Sequence, residues 1–350
     1  MKVQRYELNA AIGKLKSVVP AKSDVTIMRN ILVQDGYLIA SDGRMTVRVR
    51  VPGTEGGMFL IPAKAFDVIA NLPNGELEIS PEKDSFNLRI GSIRTRFRTE
   101  DPHEFPIQAA PAGEDVSTIP ADKLTRCIRL VQWAMAEENS VHEMMAALNL
   151  RAADGILSFT CLDGHVIAWD RIPYKGEFNL IIPRAAALKI ASVGLEGEVS
   201  IDASEKSCTF RTDTVEVTTR IVEGTYYKYQ NMFKDMPYSC TVTRRELLEA
   251  ITRVRNVMGE DEKKPVRLEF KEGEIGITYI GTAASHHELV YAATSTDVDM
   301  MVGFNAKFLL KAAKSFEDEE ITIAMSGPKL PFLLSGDGGK YQSCVLPVSI

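Results

Sequence analysis

Long apolar runs are absent from this 350-residue sequence: nowhere do about 18 uncharged apolar residues follow one another, and the opening MKVQRYELNAAIGKLK has no apolar leader. Neither a helical membrane span nor a secretory signal is expected, and the reading is a cytoplasmic protein. Cysteine is scarce. The five that occur, Cys127, Cys161, Cys208, Cys240 and Cys344, are scattered, show no metal-ligand spacing and lack the even count of a disulfide framework. They are expected to be reduced and structural. Neither GxxxxGK[ST] nor GxGxxG is present, which removes the two common phosphate-cradling loops. Positive charge is in deficit as well: 41 Lys and Arg against 47 Asp and Glu give a net charge of −6. A basic coat for nucleic acid is thereby excluded, while a local basic stripe stays compatible. What is present, 45% hydrophobic and 25% charged residues, is the composition of a soluble globular chain of two or three domains.

An internal repeat organises the chain. MFLIPAKAFDVIANL (58–72), FNLIIPRAAALKIASVGL (178–195) and MVGFNAKFLLKAAKSF (301–316) each join a short apolar strand to a helix. Pro62, Pro183 and Asn305 stand at the junctions, spaced by 121 and 122 residues. Proline suits a helix start because its missing N–H would be unpaired there, and asparagine is a good N-cap. Each repeat opens with an amphipathic helix, in YELNAAIGKLKSVV, ADKLTRCIRLVQWAMA and TRRELLEAITRVRNVM. Each closes with alternating strand segments, ELEISPEKDSFNLRIGSIRTRFRT, EVSIDASEKSCTFRTDTVEVTTRIV and EITIAMSGPKLPFLLSGDGGKYQSCVLPV. A period of about 120 residues is far too long for a solenoid. The expectation is three α+β domains over 1–115, 116–235 and 236–350, with breaks in AAPAGEDVS and KDMPYS.

Basic residues follow the repeat. On a helix, Lys307, Lys311 and Lys314 fall at about 0°, 40° and −20°, opposite Phe308, Leu309, Ala312, Ala313 and Phe316. Lys14, Lys16, Lys22 and Lys64 accompany the first repeat; Lys123, Arg126, Arg129, Arg184 and Lys189 the second; Arg253 and Arg255 the third. Acidic runs such as EDEE (317–320) and GEDE (259–262) come after helix ends. A recurring basic helix face in a net acidic protein fits a polyanion held on one surface.

SDGRMTVRVRVP (41–52), FLIPAKAF (59–66), LDGHVIAWDRIP (162–173), TTRIVEGTYYKY (218–229), GFNAKFLLKA (303–312) and the terminal VLPVSI (345–350), in this order and spacing, resemble the bacterial sliding clamp family, the beta subunit of DNA polymerase III. The resemblance covers essentially the whole chain. It implies three DNA-clamp domains, each with two helices on an inner face and antiparallel sheets outside, in a ring-shaped head-to-tail homodimer. It further implies a nucleoid-associated, non-catalytic processivity factor without cofactor or metal. Such a ring encircles duplex DNA regardless of sequence, is opened by a separate clamp loader, and tethers the replicative polymerase and other replication and repair proteins.

The resemblance also implies site residues. Lys14, Lys22, Lys64, Arg126, Arg129, Arg184, Lys189, Lys307, Lys311 and Lys314 would face DNA phosphates. A hydrophobic partner groove between the second and third domains would use Leu162, Gly164, His165, Val166 and Ile167, then Asn231 and Met232, then Val345, Leu346, Pro347, Val348 and Ile350. The dimer joint would set Thr95 and Phe97 against Val257 and Met258. This chain departs from the family where Tyr227 and Lys228 replace the usual Pro and Asp, and where Val166 and Asn231 replace Arg, so its groove should be less basic.

Two alternatives compete. A hydrolase could use Asp163 and His165, but Asp42-Gly43 repeats Asp163-Gly164 with Arg44 in place of His165, and the third repeat has Gly281-Thr282. A tight turn explains the pair better. The neighbouring His286 and His287 would point to opposite faces of a strand, so no metal site is expected there. The second alternative, a clamp-fold scaffold that never encloses DNA, would keep the terminal groove and lose the basic helix faces.

Overall fold

A computed structural model of the chain describes residues 1–107, 114–138, 140, 142–230, 236–259, 264–294 and 299–350. The proposed break segments 109–117 and 234–239 fall partly, and Asn231 and Met232 wholly, outside the described residues. One series of strand, helix, four strands, helix and three strands occurs three times. The first series is β1 (Lys2–Gln4), α1 (Arg5–Leu15), β2 (Asn30–Gln34), β3 (Tyr37–Ser41), β4 (Met45–Arg50), β5 (Met58–Pro62), α2 (Ala63–Asn71), β6 (Glu76–Glu82), β7 (Ser85–Ile90) and β8 (Ile93–Arg98). The second is β9 (Glu114–Pro120), α3 (Ala121–Val131), β10 (Ala147–Ala153), β11 (Ile156–Leu162), β12 (Val166–Pro173), β13 (Phe178–Pro183), α4 (Arg184–Ser192), β14 (Glu198–Ala203), β15 (Ser207–Arg211) and β16 (Val215–Arg220). The third is β17 (Tyr238–Thr243), α5 (Arg244–Met258), β18 (Val266–Lys271), β19 (Glu274–Ile280), β20 (Ser285–Thr294), β21 (Met300–Phe304), α6 (Ala306–Ser315), β22 (Glu320–Met325), β23 (Phe332–Ser335) and β24 (Gln342–Val345).

Local chemistry explains these elements. β22 alternates, burying Ile321, Ile323 and Met325 while Thr322 and Ala324 are half-buried, the period of a strand with one face on the core. In α6, Ala306, Leu309, Leu310, Ala312 and Ala313 are buried and Lys307, Lys311 and Lys314 are exposed. Asn305 caps it as its sequence position suggests, its side-chain oxygen accepting from the Lys307 amide at 2.9 Å. Pro62 and Pro183 immediately precede α2 and α4.

The chain forms two compact units, residues 1–126 with 185–222 and residues 127–184 with 223–350. The first contains an eight-stranded sheet, β5-β2-β3-β4-β16-β15-β14-β9, and a four-stranded one, β1-β6-β7-β8. The second contains the twelve-strand order β13-β10-β11-β12-β24-β23-β22-β17-β20-β19-β18-β21. In both units the fourth strand of one repeat pairs antiparallel with the eighth strand of the next. β4 meets β16 from Met45↔Thr219 to Val49↔Val215, and β12 meets β24 from Val166↔Val345 to Trp169↔Gln342. The strand pairs consume what would otherwise be unpaired sheet edges.

Lys189 departs from its expected place on a DNA-facing surface. It is only 7% exposed, and its ammonium donates to the Lys14 carbonyl and, at 2.8 Å, to Ser17 Oγ. The last carbonyls of a helix have no partner within the helix, and this lysine on α4 supplies one to α1. Burial lowers its pKa from 10.5 to about 8. Between those values the unfolded chain holds a proton that the folded chain has released, so this group's contribution to stability rises with pH from about 8 to 10.5 and is flat below. Replacing Lys189 by Met should lower stability by about 1–3 kcal/mol through the stranded acceptors. The gap between native protein and variant, followed by urea unfolding at pH 7, 9 and 10, should widen with pH; a constant gap would contradict the assignment.

Candidate functional site

Two features stand out: basic helix faces, and an apolar shelf beside the C-terminal tail. Exposed basic residues recur on α3 and α6. Lys123, Arg126 and Arg129 are exposed on the first, and Lys307, Lys311 and Lys314 on the second. The three α6 lysines have no carboxylate within salt-bridge distance among the described residues, so their charge is available to a ligand. Lys22 and Lys64 are also exposed. Several other basic residues are engaged. Lys14 is half-buried and donates to the Gly194 carbonyl at 3.4 Å, while Lys16 pairs with Asp67 at 3.2 Å. Arg253 makes a forked pair with Glu288 at 2.8 and 2.9 Å.

Arg184, expected to meet phosphate, is half-buried at the start of α4. Its guanidinium donates to the carbonyls of Met135 at 2.9 Å and Ala136 at 3.3 Å, and lies 3.7 Å from Glu137. It is thus committed to the chain that follows α3. The outward side of α4 is left to Ala185 and Ser192 and carries no charge.

The shelf is built where β12 meets β24. The turn before β12 is held by Asp163, whose Oδ1 accepts from the amides of His165 at 2.9 Å and Val166 at 3.0 Å, with Gly164 at a φ of 88°. Asp42 holds the turn before β4 in the same way, accepting from Arg44 at 2.8 Å and Met45 at 2.7 Å, with Gly43 at 83°. A carboxylate occupied by two backbone amides favours the turn over an acid–base pair. Beyond β24 the tail turns back across this site: the Leu346 amide donates to the His165 carbonyl and the Val348 amide to the Gly303 carbonyl, both at 2.9 Å. The His165 ring stacks on Phe308 of α6, centroids 5.6 Å apart and 17° between planes.

The expected groove residues therefore divide. Gly164, His165, Leu346, Pro347, Val348 and Ile350 come together at the surface, with Val348 36% and Ile350 53% exposed. Leu162, Val166, Ile167 and Val345 are buried instead. Val166 and Val345 face each other across the strand pair with 1% and 0% exposure, so they form the floor beneath the shelf and cannot touch a ligand. Phe308, which the helical pattern assigned to the buried side of α6, joins the site. Its ring is half-buried, and its position at the margin of the apolar stripe is the sequence signal for this.

The joint residues also divide. Phe97 is 7% exposed and packs on Phe86 with ring centroids 5.3 Å apart, and Met258 is 6% exposed, so both belong to the interior of their own unit. Thr95 and Val257 are half-buried. His286 and His287 point apart as expected, the first to Glu288 at 3.0 Å and the second to Thr278 at 2.8 Å.

Comparison with known proteins bears on these features. Residues 118–228 match the family model for the central domain of the DNA polymerase III beta subunit, and residues 234–349 match that for its C-terminal domain. The chain is 24% identical over 352 residues to the beta sliding clamp of Halalkalibacterium halodurans, covering 93% of this chain and 92% of that protein. It is also 24% identical over 365 residues to that of Pseudomonas aeruginosa, covering 99% of both. Among solved structures, the sliding clamp of Pseudomonas aeruginosa with ligand superposes with a TM-score of 0.92 at 22% identity, covering 100% of this chain and 99% of that one. The beta subunit of Thermotoga maritima superposes with a TM-score of 0.91 at 21% identity and the same coverage.

Proposed function

The chain belongs to the DNA polymerase III beta subunit family, the bacterial sliding clamps, and from that premise we propose that two copies close head to tail around duplex DNA and hold the replicative polymerase there. The carrying observation is the strand rule of the fold. The fourth strand of the first repeat pairs with the eighth of the second, and the fourth of the second with the eighth of the third. Continued once more, the rule pairs β20 of one copy with β8 of another. Both strands have edges to spare: β8 ends its sheet, and β20 meets β17 only through Ala292–Thr294. An unpaired edge is a template for another strand.

Repeat equivalence supplies a register for this joint. The turns ahead of the fourth strands close between Asp42 and Met45, Asp163 and Val166, and Gly281 and Ala284. The hairpins ending in the eighth strands begin at Ser85↔Arg98 and Ser207↔Arg220. Met45↔Thr219 therefore translates to Ala284 opposite Phe97, Thr46↔Thr218 to Ser285 opposite Arg96, and Arg48↔Glu216 to His287 opposite Arg94. Backbone pairing along β8 accounts for a joint at Thr95 even though the Phe97 ring points inward. The Arg253–Glu288 pair ties α5 to β20, and Val257, one turn beyond Arg253, supplies an apolar side chain near the same edge.

The exposed basic faces of α3 and α6 support a lining for DNA, and the net charge of −6 makes the rest of the surface repellent to it. Phosphate contacts of this kind position DNA without reading its bases and allow sliding. A scaffold that never encloses DNA has no need of three uncompensated lysines in one stripe. The division into domains 1–115, 116–235 and 236–350, partner docking on the shelf, and opening by a separate loader complete this reading.

Two experiments test its parts. Replacing Lys307, Lys311 and Lys314 together by Ala should leave folding intact, because exposed substitutions cost about 0.5 kcal/mol or less each, while lowering the salt slope of DNA binding by up to about 3. An unchanged slope would remove α6 from the DNA face. Deleting Leu346–Ile350 removes the apolar anchors of the shelf, each worth roughly 1.5–3 kcal/mol when fully covered, so a short apolar peptide from the cognate polymerase should bind about a hundredfold more weakly or worse. The shortened chain should still dimerise through β8 and β20; peptide binding at full strength would show that the tail is no more than an edge segment.

A further inference from the structure

An incomplete charge pattern lies on the sheet of the second unit, away from the shelf. Residues directly opposite on antiparallel strands share a face, and the register Arg151↔Ser158↔Arg171 places one serine between two arginines on β10, β11 and β12. The repeat equivalent of this row, on β2, β3 and β4, reads Gln34↔Tyr37↔Arg50. The first unit also carries a different row in which an acid stands between two arginines, Arg211↔Glu216↔Arg48 on β15, β16 and β4. There Glu216 binds Arg211 at 2.9 Å and lies 3.7 Å from Arg48, and Asp202 binds Arg211 at 2.9 Å as well. Neither Arg151 nor Arg171 has a carboxylate partner among the described residues. Arg171 is instead aimed by neutral groups, donating to the Gly339 carbonyl at 2.8 Å and to Gln342 Oε1 at 3.0 Å. The outer strands of the row are about 10 Å apart, so the small serine leaves a slot between the guanidinium groups.

That slot belongs to a cavity of about 400 Å³, within the size range of small-molecule sites. Trp169 and Tyr229, ring centroids 5.4 Å apart, close one end, and Ile156, 41% exposed, forms an apolar lip. The Tyr229 hydroxyl is fixed by Thr160 Oγ1 at 2.8 Å. Burial raises the pKa of that hydroxyl, while its bond to Thr160 and the cations of Arg171 and Arg151 act in the opposite direction. Asp154 is the sole carboxylate among the lining residues, against two arginines.

We propose that this cavity binds the phosphate group of a small phosphomonoester, with Arg151 and Arg171 clasping its oxygens and Ser158 donating a hydrogen bond between them. The organic body of the ligand lies against Trp169 and Ile156. Guanidinium groups suit this task because their forked donors match the oxygens of a phosphate, and charge-assisted bonds of this type are about twice as strong as neutral ones. The bound anion takes a place between two guanidinium groups like that of the Glu216 carboxylate between Arg211 and Arg48.

Calorimetric titration of the full chain tests the assignment, with adenosine 5′-monophosphate as probe and inorganic phosphate and adenosine as separate arms. One nucleotide should bind per chain, adenosine should not bind, and inorganic phosphate should bind more weakly than the nucleotide. Arg151→Gln and Arg171→Gln should each weaken nucleotide binding about tenfold or more. Ser158→Glu places a carboxylate between the two arginines, as Glu216 lies between Arg211 and Arg48, so it should abolish binding while thermal unfolding stays at or above that of the native protein. Equal affinity for nucleotide and inorganic phosphate would overturn the role of the apolar wall. Absence of saturable nucleotide binding, or undiminished binding by folded Ser158→Glu protein, would overturn the site.

Discussion

The pairing of a repeat's fourth strand with the next repeat's eighth strand is the constraint on which the rest depends. A sheet edge exposes a row of backbone donors and acceptors, and each repeat, with two four-stranded sheets, brings four such edges. β4–β16 and β12–β24 consume four of them with ordinary antiparallel ladders. The second of these ladders also creates the apolar shelf, because it delivers the end of the chain to the Asp163 turn, where the Leu346 and Val348 amides find carbonyl partners. Fold and candidate partner site thus follow from one backbone requirement. Among the edges left over, β8 and β20 are the eighth- and fourth-strand edges that the same rule offers to a second copy.

Electrostatics is arranged on top of that frame by context as much as by residue type. Lysines on α6 are left uncompensated, whereas Lys16, Lys189, Arg184 and Arg253 are occupied by a carboxylate or by helix-end carbonyls. The same residue type therefore does two jobs, one toward solvent and one inside. Two rows with arginines on their outer strands differ likewise at the centre: an acid at Glu216 bridges one, and serine at Ser158 leaves the other open.

Much of this was legible in the sequence because it is local. The junctions at Pro62, Pro183 and Asn305, the alternation in β6 to β8 and β22 to β24, and the lysine stripe of α6 each depend on residues within a few positions of one another. What could not be read depends on register between distant segments. Nothing near Lys189 announces that the α1 carbonyls lie across from it, nothing in LDGHVI or VLPVSI reveals that Val166 and Val345 cover each other, and Arg151 and Arg171 become neighbours of Ser158 only through two strand pairings. Phe308 was placed on the correct helix and assigned to the wrong environment, since a helical wheel does not show that His165 from another repeat reaches its edge.

Closure of a ring through the edges of β8 and β20 is measured by retention on DNA of different topology. Protein loaded on nicked circular duplex should remain bound at salt that abolishes phosphate attraction, because simple electrostatic binding falls steeply with salt while a topological link does not. Cutting the circle should release it. Equal loss from circular and linear DNA as salt is raised would contradict the account.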